Sequence, residues 1–165
     1  MKTYELLIDA FDRVKSTVHE TTEGLTIDQL TFRPNGTGNS IAWLIWHLTR
    51  VQDDHVADLA DGEQVWMSGG WDKRFNLPFN ASVTGYGQDA EEVASVKVEA
   101  DLLLRYHDAV CDKTTKYLET IQEDDYKKIV DKSWDPPVTL AVRLISIISD
   151  DLQHVGQAAY VKGLL

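Results

Sequence analysis

Hydrophobic positions in this chain recur at helical spacing over four long stretches, separated by segments where the spacing lapses. From about Thr3 to Glu20, Tyr4, Leu7, Phe11, Val14 and Val18 fall every three or four residues, which predicts a helix with one buried stripe. From Asn39 to Ala60, Ile41, Leu44, Ile45, Leu48 and Val51 do the same, with Asn39 or Ser40 placed to cap the N-terminus. At about 1.5 Å per residue, this second helix is a rod of roughly 33 Å. A third helix is predicted over Asp89–Ile121, its stripe being Val93, Val96, Ala100, Leu103, Val110, Thr114, Leu118 and Ile121. A fourth is capped by Thr139 and ended by Gly163. Its predicted stripe is Val142, Ile145, Ile148, Leu152, Val155 and Ala159.

The intervening segments read as connections. Gly24 and the stretch from Thr31 to Gly38, with Pro34 and two glycines, interrupt the first pattern, and Asp61-Gly62 ends the second helix. Residues 63–88 have no period but hold Trp66, Trp71, Phe75, Phe79 and Tyr86. A loop of that length packs its aromatics against the bundle or serves a function. Residues 122–138 pass through Asp135-Pro136-Pro137, which a helix cannot. Without strand alternation or internal repeats, the expectation is an all-α four-helix bundle with long crossover connections, one domain over residues 1–165.

Composition narrows the function. The chain has 27 acidic and 16 basic residues, a net charge of −11, which argues against nucleic acid and anionic membranes as partners. No apolar run approaches the roughly 18 residues of a membrane span, and the amphipathic N-terminus lacks a signal peptide's apolar core. The single cysteine, Cys111, excludes an intrachain disulfide and fits a cytoplasmic location. Its neighbours Val110 and Asp112 offer nothing to lower its pKa, so it reads as a small core residue. Arg50 with Asp53 and Asp54 reads as a solvated face carrying ion pairs. No phosphate loop, nucleophile elbow, C-x-x-C or H-E-x-x-H motif occurs.

The chemistry lies in the histidines. His47 interrupts the second helix's stripe, three residues after Leu44 and four before Val51, so it needs an interior partner. His154 follows Asp150 by four residues and Asp151 by three, which puts an imidazole and a carboxylate on one helical face. Together with His47 this makes a candidate site of two histidines and one carboxylate between helices, a ligand set suited to divalent iron, zinc, nickel or manganese. Spacing leaves either aspartate eligible, and a surface pair gives the same pattern. His107, between Leu103 and Val110, reads as a core histidine, and His19 and His55 as solvated.

The segments SIAWLIWHLTRVQDDH and SDDLQHVGQAAYVKGLL, with EQVWMSGGW between them, carry a family likeness. Through W-H-L in the second helix and H-x-G-Q in the fourth, the chain resembles the DinB-like superfamily, near its mycothiol-dependent and bacillithiol transferases. The resemblance implies a DinB/YfiT-like bundle, often dimeric, with a divalent metal held by three histidines, two of them spaced H-x-x-x-H on the fourth helix. His47 and His154 match the first and last ligands, and Asp150 stands where the middle histidine belongs. The implied activity is metal-dependent S-transfer, a low-molecular-weight thiol cosubstrate attacking a small electrophile, with Asp151 as an orienter or base. A homodimer is expected too, covering apolar surface offered by the tryptophan-rich loops. A non-catalytic dimeric helical module and a metal-dependent hydrolase stay open beside the transferase.

Overall fold

The computed structural model describes residues 2–165, and the chain is mainly helical. In order run α1 (Thr3–Thr22), α2 (Ile27–Thr31), α3 (Ile41–Leu59), α4 (Val65–Ser68), α5 (Trp71–Phe75), α6 (Ala90–Ser95), α7 (Ala100–Leu118) and α8 (Leu140–Lys162). A short antiparallel pair, β1 (Ile129–Asp131) and β2 (Val138–Thr139), precedes α8. Starts are set by side-chain caps: the Ser40 hydroxyl accepts from Trp43 N, the Thr139 hydroxyl from Val142 N, and Asp89 forms a capping box with Glu92.

The four long helices make the bundle. Each of α1 and α3 packs along both α7 and α8, so α1 and α3 lie diagonally opposite. The stripes expected on α1 and α7 are the ones buried, apart from the partly buried Tyr4 and Ala100 at their starts, and the first ten residues of α3 are buried on every side. That is the mark of a central helix, covered on its outer face by the 63–88 connection. Trp46, Trp66, Trp71, Phe75 and Tyr106 form an aromatic cluster that binds the connection down, as expected. No helix among the described residues is long and apolar enough to cross a membrane.

Four expectations are corrected. The third helix is two: after α6 the chain runs extended through Val96 and Glu99, with Val96 and Val98 buried and Lys97 and Glu99 exposed. This period of two belongs to a strand-like segment, and its buried valines had mimicked a helical stripe. In α8 the buried stripe is Leu140, Leu144, Ile147, Ile148, Asp151, Val155, Ala158 and Val161. Val142, Ile145 and Leu152 are about half exposed (52%, 58% and 50%), because the helix has a second apolar face and the inward one is broken by an aspartate. Arg50 and Asp53 are completely buried rather than solvated. Finally, the tryptophans of the long loop are inside the molecule, which leaves Trp134 as the exposed one. They offer no apolar surface for a dimer.

Candidate metal centre

His47 is on α3 just where the bundle interior meets a cleft of about 460 Å³ between α3 and α8. Its Nδ1 is 2.6 Å from the Thr84 carbonyl. A carbonyl oxygen only accepts, so Nδ1 carries the proton and donates it, and Nε2 keeps its lone pair. Trp43 stacks on the same ring with centroids 4.5 Å apart, and its own Nε1 donates to Gln88 Oε1. On α8, His154 repeats the arrangement: its Nδ1 lies 2.8 Å from the backbone carbonyl of Asp150, again leaving Nε2 free. The two imidazoles meet nearly edge to face with centroids 4.7 Å apart.

Asp150, one turn before His154, supplies the third group. Its Oδ2 is buried, lies 3.4 Å from His154 Nδ1 and has no hydrogen-bond partner. His47, Asp150 and His154 each offer one ligand atom, all within 4.8 Å of one another. An ion with bonds of about 2.0–2.2 Å holds its ligands within about 4 Å of each other, so small side-chain rotations close the set. Two imidazole nitrogens of fixed tautomer and an orphaned carboxylate oxygen fit a divalent cation well.

The charges agree. Burial holds His47 below the usual imidazole range, which favours the neutral ring a metal needs. Burial also works to lower His154, but its contacts with Asp150 outweigh this and raise it. Burial works to raise Asp150, and the neighbouring histidines, His154 first, overcome it and lower its pKa. Asp150 therefore stays ionised where a cation would sit.

The wall opposite α8 is built from afar. Buried Asp53 accepts from Val65 N at 2.8 Å, Trp66 N at 2.7 Å and the Tyr106 hydroxyl at 2.9 Å. Arg50 donates to Gln64 Oε1 and to the carbonyls of Ala81 and Val83. This pair fastens both ends of the connection, and so sets the Thr84 carbonyl against His47. Gly85 follows at φ +100°, and a Cβ on it would lie 2.6 Å from His47 Nδ1. Only glycine lets the backbone come this close.

The structure thus brings together His47, Asp150 and His154. Asp151 is placed elsewhere: it is completely buried on the core side of α8, does not line the cleft, and neither carboxylate oxygen has a partner. Burial, with the charge of Asp150 adding to it, holds its pKa well above the carboxylate range. His107 is a core histidine, lowered to about 3 by burial, with Nδ1 3.0 Å from Thr49 Oγ1. Cys111 is buried beside it and pushed up to about 12 by burial. His19 pairs with Asp108 across α1 and α7.

His55 is the cleft residue that the sequence reading missed. It stands two turns on from His47 on the same face of α3, a spacing visible in the sequence, and lines the cleft with Asp54 and Tyr86. Its Nδ1 faces Arg143 Nη1 at 3.4 Å. Because a guanidinium only donates, the ring proton is on Nε2, and His55 is a donor in the cleft wall. Arg143 is itself held by Asp131 at 2.6 Å.

Comparison with known proteins adds a family. A family model described as mycothiol-S-transferase matches residues 6–165. A crystal structure of a conserved protein from Enterococcus faecalis is 34% identical in sequence and superposes with a TM-score of 0.93, over 99% of this chain and 97% of that one. No curated protein matches the chain.

Proposed function

The chain belongs to the mycothiol-S-transferase family, and on that premise we propose that it catalyses metal-dependent transfer of a low-molecular-weight thiol to a small electrophile. The observation that carries this reading is the buried, partnerless Asp150 Oδ2 beside two imidazoles whose Nδ1 protons are committed to backbone carbonyls. His47 and His154 would hold a divalent ion through Nε2, and Asp150 through its carboxylate. When bound, the ion acts as a Lewis acid that lowers the pKa of a thiol and so supplies thiolate at neutral pH.

The chain's own residues do the rest. Thr84 and the Asp150 carbonyl fix the imidazole tautomers, and Trp43 fixes the plane of His47. Val51, Ile147 and the exposed ring of Tyr86 give the cleft an apolar surface for the electrophile, and His55 gives it a donor for charge developing on a leaving group. Asp151 lies behind α8, away from the cleft. Its burial favours the protonated carboxyl and neither oxygen has a partner, so it is not the base in the cleft.

The test is thiol dependence. Manganese- or zinc-loaded protein with an activated aryl halide should form a thioether when a small thiol is added, and Asp150→Ala should lose at least tenfold in rate. Turnover of esters or amides without thiol would replace the transferase by a hydrolase. A loaded protein inert to both would leave the helical module.

A further inference from the structure

Asp54 is a half-buried carboxylate on the cleft wall whose charge the chain does not match. It lies on α3 one residue before His55 and lines the cleft into which His47, Asp150 and His154 open. Its Oδ1 accepts from Gln64 Nε2 at 2.6 Å, and Gln64 Oε1 accepts in turn from Arg50 Nη1 at 2.8 Å. Because a guanidinium only donates, the Gln64 amide has one possible orientation, and this relay from the fully buried Arg50 aims the Asp54 carboxylate. Gln64 is neutral, so the bond leaves the charge of Asp54 uncompensated, and an asparagine oxygen would accept it equally well. The two arginines near this wall are engaged elsewhere, Arg50 with Asp53 and Arg143 with Asp131, and Asp54 has no salt bridge among the described residues. No lysine or arginine lines the cleft. His55 does not supply the missing charge, since burial first, and then Arg143, hold it below the usual imidazole range.

We infer that Asp54 receives an ammonium group, so that the thiol cosubstrate proposed above, on which this rests, is an aminothiol. The charges then balance. A divalent ion in the centre is offset by Asp150 and by one thiolate, and Asp54 adds a further negative charge to a cleft without a fixed cation. An ammonium on the thiol restores neutrality, whereas a carboxylate there would add to the excess. The ring of Tyr86, 92% exposed and on the same cleft, works in the same direction, because an aromatic face attracts a cation. An ion pair on a half-buried wall falls between the exposed and the desolvated limits, which puts the preference at about five- to tenfold in affinity.

Cobalt(II)-loaded protein tests this without turnover, since thiolate bound to cobalt(II) absorbs by charge transfer. The titrants are cysteamine, mercaptoethanol and mercaptopropionate, small thiols that carry a positive, no and a negative charge. The wild type should bind cysteamine most tightly and mercaptopropionate least. Asp54→Asn keeps the acceptor for Gln64 and removes only the charge. It should weaken cysteamine about five- to tenfold relative to mercaptoethanol, with thermal unfolding unchanged. The thiols' own acidities cancel when the two proteins are compared. A preference for cysteamine that is equal in both proteins overturns the assignment and leaves Asp54 as an anchor for Gln64 alone. If no thiol of any charge gives the absorption, the thiol reading itself falls and takes the aminothiol with it.

Discussion

Gly85→Ala is the substitution in which the long loop's hold on the candidate centre is most exposed to measurement. At φ +100° an alanine pays a backbone strain of about 1–2 kcal/mol, and its Cβ, set 2.6 Å from His47 Nδ1 and 3.0 Å from Trp46 Cζ3, must push one of them away. Trp46 is wedged among Trp66 and Phe79, so His47 is the group that yields. Its hydrogen bond to the Thr84 carbonyl, worth about 1 kcal/mol, is then lost. The total, roughly 2–3 kcal/mol, should lower the melting temperature by about 5–10 °C in a chain of this size. Losing an outer hydrogen bond on a ligating histidine should also weaken metal binding about 10–100-fold. Gly87→Ala is the matched control, since it has φ +74° but nothing within 4 Å of its Cβ. It should show the strain and leave metal affinity unchanged. The assay pairs thermal unfolding with competition against a chromophoric chelator. Equal metal affinities for the two variants would refute the argument that Gly85 acts through His47.

Three further outcomes follow from buried groups. Arg50→Ala leaves Asp53 buried without its cation and frees the loop, and urea unfolding should show a loss of about 3–5 kcal/mol; a loss under 1 kcal/mol would mean that the pair does not hold the connection. His107, lowered from 6.5 to about 3, stays neutral when folded but takes a proton when unfolded. Its contribution is therefore present above pH 6.5 and lost as pH falls toward 3, on the order of 5 kcal/mol, and His107→Gln should flatten that acid limb in urea titrations at successive pH values. Asp150→His should raise the zinc-to-manganese ratio in competitive loading, because imidazole is a softer ligand than carboxylate, whereas Asp151→His, turned into the core, should not; a larger shift from Asp151→His would mean that Asp150 is not a ligand.

Much of this molecule was legible in its sequence, and the failures have identifiable causes. The stripes of α1 and α7 stood out because each helix has a single apolar face. The face of α8 was misassigned because two apolar stripes compete there, and Asp151 interrupts the one that is buried. The break before α7 was written as Val-Lys-Val-Glu, an alternation that a longer helical pattern absorbed. His47, Asp150 and His154 could be proposed from local spacing and family likeness. The burial of Arg50 and Asp53 could not, since their partners come from positions 64–66, 81, 83 and 106. The same holds for Thr84 and Gly85, whose meaning depends on a contact across 37 residues of chain.

The proposed chemistry requires that His47, Asp150 and His154 bind an ion together. Elemental analysis of protein purified without chelator measures this directly, in the wild type and in His47→Ala. About one divalent ion per chain is expected in the wild type, and a small fraction of that in a His47→Ala protein of unchanged helicity. A metal-free wild type that takes up no ion on incubation, or the same metal content in both proteins, would contradict it.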